Sequence, residues 1–96
     1  MKLINIVKSE KENKKLKATF EMDNGRTKTT HFGASGMSDF TIHKDNERRE
    51  RYRQRHEKDL KTEDPTRAGY LSYFILWGES TNLKTNIANY KKKFNL

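Results

Sequence analysis

Five arginines fall within eight consecutive positions, Arg48, Arg49, Arg51, Arg53 and Arg55, with Tyr52 among them. Guanidinium groups pair with phosphate or carboxylate in a bidentate fork, and a tyrosine ring can stack on a base or sugar. The segment is therefore suited to contact a polyanion. Glu47, Glu50, Glu57 and Asp59 share the stretch, however, and mixed signs along a helix also mark a solvated, salt-bridged face. The same arginines could equally clamp carboxylates on a neighbouring protein. Further cations that can join such a surface are Lys15, Lys17, Arg26 and Lys28 around a hairpin, and Lys91, Lys92 and Lys93 near the end. Charged sheet edges also discourage edge-to-edge aggregation, so solubility is the first reading of the hairpin lysines and phosphate contact the second.

Other chemistries have weaker signals. Ser35, Ser38, Asp39 and His43 contain the parts of a nucleophilic triad, but Gly33-Ala34-Ser35-Gly36 lacks the second half of the nucleophile-elbow pattern. Ser38 and Asp39 are better explained as turn residues bonded to nearby amides. The glycines of this stretch suggest a phosphate cradle, yet neither the Walker ending nor the dinucleotide spacing is present. His31, His43 and His56 have no spacing typical of a metal site, and there is no cysteine to complete one. His31 is expected in the packing between sheet and helices, and His56 on a helix stripe.

Bulk properties set the frame for these groups. Ninety-six residues make one domain, 31% hydrophobic and 35% charged, with a net charge of +8. The excess is spread along the chain with no basic tail, which favours general attraction to acidic surfaces over a groove reader. The absence of cysteine removes disulfides and thiol chemistry and suits a reducing compartment. The apolar run of residues 3–7 is too short for a signal peptide and reads as a strand of an intracellular protein.

The elements that must position the cations follow from periodicity. Ile4 and Ile6 alternate with Leu3, Asn5 and Val7 in a short strand. Leu16, Ala18, Phe20 and Met22 alternate with polar neighbours in a second one. Asp23-Asn24-Gly25-Arg26 is a tight turn, and a two-residue Asn-Gly loop places Thr27, Thr29 and His31 of the return strand on the Phe20 face. Residues 1–32 thus predict three antiparallel strands, and 33–44 a linker anchored by Met37, Phe40 and Ile42. Residues 45–96 predict three helices. Asp45 caps the first, whose Tyr52, His56 and Leu60 form a contact stripe and whose Glu47–Arg51, Arg53–Glu57 and Asp45–Arg49 pairs are spaced for salt bridges. The second, 65–77, is apolar at almost every position from Tyr70 to Trp77 and must be central, with Asp64 as cap, Pro65 at its first position and Gly78 as a left-handed stop. Thr81 caps the third, which buries Leu83, Ile87, Tyr90 and Phe94. The fold class is α+β, a small antiparallel sheet followed by three helices.

The string His31-Phe32-Gly33, Gly36-Met37-Ser38-Asp39-Phe40-Thr41, His43-Lys44-Asp45, Arg48-Arg49, Arg51-Tyr52 and Arg55-His56, with Ala68-Gly69, Ile75-Leu76-Trp77 and a closing basic helix beyond it, resembles a small uncharacterised family of large double-stranded DNA viruses of algae and protists. The resemblance spans about residues 29–96. It implies a viral setting, inside the infected cell or in the virion, and transfers no catalytic residue. The expectation is a non-enzymatic basic protein that binds nucleic acid through phosphates, or, as the alternative, a minor capsid or cement protein docked on acidic neighbours. No cofactor, membrane association or small-molecule substrate is expected.

Overall fold

The computed structural model describes residues Met1–Leu96. Three strands, β1 (Lys2–Lys8), β2 (Lys14–Glu21) and β3 (Thr27–Ala34), form an antiparallel sheet in the order β1-β2-β3. A single turn of helix, α1 (Phe40–His43), leads into α2 (Asn46–His56), which tightens into a 3₁₀ segment over Glu57–Thr62. The central segment comprises α3 (Ala68–Leu71) and a π-helical stretch, Ser72–Leu76, and α4 (Leu83–Lys93) closes the domain. The fold is α+β as expected. No helix is long and apolar enough to cross a membrane.

One face of the sheet packs on the helices. Leu3, Ala18, Phe20 and Phe32 from the strands meet Leu71, Ile75, Leu76, Trp77 and Tyr90 in one core. Each fully buried aromatic or aliphatic side chain there contributes about 1.5–3 kcal/mol relative to exposure. The strand faces differ from those expected, for two reasons of register. Met22 and Arg26 pair across a three-residue loop, Asp23-Asn24-Gly25, with Gly25 at φ 82°. The extra residue pairs Phe20 with Lys28, Ala18 with Thr30 and Leu16 with Phe32, so Thr27, Thr29 and His31 lie on the outer face. In β1 a bulge at Ile4 puts Leu3 and Ile6 opposite Phe20 and Ala18, and leaves Ile4 and Val7 exposed. His31 accordingly bonds Ser9 Oγ at 2.8 Å on the outer side of the sheet instead of packing beneath the helices.

The central segment begins later than Asp64-Pro65 suggests. Asp64 does cap, but it caps a turn: its Oδ1 accepts from the Thr66 amide at 2.9 Å and the Thr66 hydroxyl at 2.6 Å. That hydroxyl bond, more than any other contact, holds the Asp64 carboxyl below its usual pKa. Thr30 donates to Thr66 O and Tyr90 to Pro65 O. These carbonyls are used by β3 and α4, so the helix starts only at Ala68. Gly78 is not in a left-handed conformation. It is required for space, since a Cβ there would lie 2.2 Å from Phe74 O and 2.9 Å from Asn86. Asn86 is itself buried and fully bonded, donating to Ile75 O and Ser80 O and accepting from the Ser80 amide. Asn82, one residue beyond Thr81, caps α4. Of the three apolar residues expected to anchor the 33–44 stretch only Phe40 is buried, while Met37 and Ile42 are 64% and 61% exposed.

Candidate functional site

The arginines of α2 divide by helical geometry. Arg49 and Arg53, four residues apart, face the central segment. Arg53 Nη1 donates to Tyr73 O at 3.1 Å and Trp77 O at 2.8 Å, and its guanidinium lies 4.0 Å over the Tyr73 ring. Arg49 Nε donates to Gly78 O at 2.7 Å. In the π-helical stretch the Trp77 amide reaches back five residues to Ser72 O, so the ordinary four-residue ladder is broken there. The two arginines supply donors to carbonyls at its end. The expected pairs Arg53–Glu57 and Asp45–Arg49 do not form for this reason, and neither arginine is free for a ligand. Burial lowers the Arg53 pKa from its ordinary value.

Arg48, Arg51 and Arg55, at spacings of three and four, occupy a different face and are exposed. Arg51 meets Glu47 at a marginal 3.9 Å, while the side chains of Arg48 and Arg55 have no protein partner. All three line one wall of a cleft of about 580 Å³. Lys14, Lys15, Gly33 and Ala34 from the sheet, with Met37, Ser38 and Asp39, also line it. Ala68, Gly69, Ser72, Leu76 and Trp77 of the central segment also contribute to the lining. Five cationic side chains and two carboxylates, Asp39 and Asp59, thus border the cleft.

Both carboxylates are engaged. Asp39 Oδ2 accepts from Lys15 Nζ at 2.5 Å, and Oδ1 accepts from the Thr41 amide and hydroxyl, which caps α1. This buried pair locks β2 to the start of the helices. Asp59 lies 3.0 Å from His56 Nδ1. Gly69 lets α3 approach the 3₁₀ segment, because a Cβ there would sit 2.9 Å from Asp59 Cβ.

Behind the arginines runs a stack of rings. Tyr52 lies parallel to Trp77, with centroids 4.2 Å apart and 6° between planes, and its other face covers His56 at 4.1 Å. Both faces of Tyr52 are taken, so it braces the wall and does not offer a ring to a base. Burial is the main cause that raises its phenol pKa, and Ser72 acts in the opposite direction.

The remaining cations are scattered. Lys17 pairs with Glu10 at 2.8 Å on the outer sheet face. Lys28 donates to Thr66 Oγ1, and Arg26 lies exposed at the hairpin. Lys92 and Lys93 line a separate depression with Arg53, and the Lys93 ammonium lies 5.5 Å from the Phe74 ring centre. Lys91 is exposed on α4. Of the thirteen residues singled out in the sequence, the cleft therefore gathers Lys15, Arg48, Arg51, Tyr52 and Arg55. Lys14, Met37, His56 and Asp59 join them without having been foreseen. His56 was legible as a stripe residue, but Lys14 and Met37 carry no sequence signal beyond their neighbours. No group of three His, Asp or Glu side chains is placed to hold a metal ion.

A family model matches residues 4–56, the three strands together with α1 and α2, which is more than half of the chain. The chain belongs to the family of unknown function (DUF5754). The match includes the three cleft arginines and Lys14, and it takes in the lysine-rich strands outside the 29–96 span of the viral resemblance. It stops before the central segment. No curated protein and no solved structure matches the chain.

Proposed function

We propose that the protein binds nucleic acid through its phosphates, at the cleft walled by Arg48, Arg51 and Arg55. The observation that carries this reading is the division of the arginines. Two satisfy backbone carbonyls, whereas three line a concavity with a single weak carboxylate contact among them. Like charges at three- and four-residue spacing on a helix repel one another, and an anion bound between them relieves that repulsion. Lys14 extends the positive lining across the cleft. In the viral setting that the sequence resemblance suggests, the ligand would be genomic or messenger nucleic acid.

Fluorescence anisotropy of a labelled oligonucleotide, as single strand and as duplex, tests this across a series of salt concentrations. Log affinity should fall linearly with log salt, and R48Q/R51Q/R55Q should make the slope shallower by about 2–3, at ~0.7–0.9 per lost phosphate contact. Absence of binding in both forms at low salt would remove the proposal.

A second reading, a minor capsid or cement protein, is favoured by a different observation. Strand β1 is a sheet edge, and it exposes Ile4 and Val7. A protein neighbour would cover this strip, and its loss of accessibility in assembled particles, read by hydrogen exchange, distinguishes the two.

A further inference from the structure

We infer that the cleft seats a single-stranded segment in preference to a duplex; this rests on the nucleic-acid reading above and sharpens it. Three features of the molecule support it. The three arginines, though exposed, line a cleft shared with the sheet and the central segment. The exposed stripe beside them on the same helix carries Glu47, Glu50, Gln54 and Glu57, with Glu47 3.9 Å from Arg51. A broad duplex surface laid across the helix would meet these three carboxylates together with the arginines, which is repulsive, whereas a narrow strand within the cleft avoids them.

The second feature is size. A concavity of about 580 Å³ falls in the range of small-molecule sites, ~300–1,000 Å³, and it admits a flexible strand or a loop tip. A rigid double helix presents its phosphates on a broad convex ridge that such a cleft cannot enclose. The third is Met37, the most exposed of the large apolar side chains, at 64%. It lines the same cleft as the arginines, together with Ala68 and Leu76, and its amide donates to Ala34 O. A polarizable thioether at that position packs favourably on an aromatic ring. With its phosphate on Arg48, Arg51 and Arg55, a nucleotide reaching across the cleft places its base against Met37. An unstacked base is available in a single strand and not in a duplex.

The test compares oligo(dT) with a duplex of equal length in the anisotropy assay, using the full chain. The single strand should bind at least tenfold more tightly. Met37→Ser should weaken single-strand binding about threefold to tenfold and leave duplex binding unchanged. Ile42→Ser, at an equally exposed apolar residue outside the cleft, should change neither. Trp77, the only tryptophan, lies in the lining, and its emission should respond to the strand as an independent readout. Equal affinity for both forms, with both weakened by R48Q/R51Q/R55Q, would overturn the single-strand inference and leave the phosphate reading standing. Met37→Ser without effect on the single strand would remove the base seat. No binding of either form would overturn both proposals.

Discussion

Replacing Arg53 by Ala removes the side chain that joins α2 to the π-helical stretch. Two charge-assisted hydrogen bonds, to Tyr73 O and Trp77 O, are lost together with the cation–π contact on Tyr73. Such bonds contribute about 1.5–3 kcal/mol each when buried. Arg53 is only half-buried, so water can replace part of that loss, and the pair together comes to about 2 kcal/mol. The ring contact adds about 0.5–1 kcal/mol. The total of about 3 kcal/mol corresponds to a fall in Tm of about 12 °C or more for a domain of this size. Arg53→Lys keeps the charge and one donor and should lose about half as much. Arg55→Ala, two residues away and without a protein partner, should stay within about 0.5 kcal/mol of the parent. Far-ultraviolet circular dichroism melts of the three variants measure this directly, and oligonucleotide affinity should show the reverse ranking. Equal melting of Arg53→Ala and Arg55→Ala would refute the division of the arginines on which the functional reading stands.

Gly78→Ala places a methyl against Phe74 O and Asn86, and it should destabilise the fold by about 3 kcal/mol, visible as a large loss of Tm or of soluble protein. Asp39→Ala removes the cap of α1 and strands Lys15; with Lys15 still able to reach water, a loss of about 2–3 kcal/mol is expected in a urea titration, and Asp39→Asn should recover the cap portion. Burial raises the phenol pKa of both Tyr90 and Tyr52, so the unfolded chain releases these protons first, from its ordinary pKa of about 10. Stability should therefore be fully present below pH ~10 and fall as pH rises beyond it, a slope that Tyr90→Phe flattens in melts taken on the alkaline side.

The sequence carried the architecture more legibly than the site. Alternation from Leu16 to Met22 and the Asp45 cap announce a strand and a helix from local rules alone. The hairpin face was misplaced because Asn24-Gly25 fits both a two-residue and a three-residue loop, and one residue inverts every side chain. The central helix was extended to Pro65 because Asp64-Pro65 satisfies the local start pattern. What stops the helix there is tertiary: Thr30 and Tyr90 claim the carbonyls of Thr66 and Pro65. The split between Arg48, Arg51, Arg55 and Arg49, Arg53 was present in the 3.6-residue period, but which stripe faced a cleft required the central segment to be in place. Lys15 read as a surface lysine because its partner, Asp39, lies 24 residues away across the sheet-to-helix passage.

The make-up of the core bears on how this family is handled at the bench. Of its eleven buried residues, Tyr70, Leu71, Ile75, Leu76, Trp77 and Tyr90 all come after residue 56, where the family match ends. A fragment cut to the matched boundaries would keep Phe20 and Phe32 and lose the layer that shields them. It would also keep Arg49 and Arg53 with nothing to hold. Such a fragment should be sticky and unstructured, and any binding it showed would say little about the intact molecule. The stretch by which relatives are recognised is shorter than the stretch that folds.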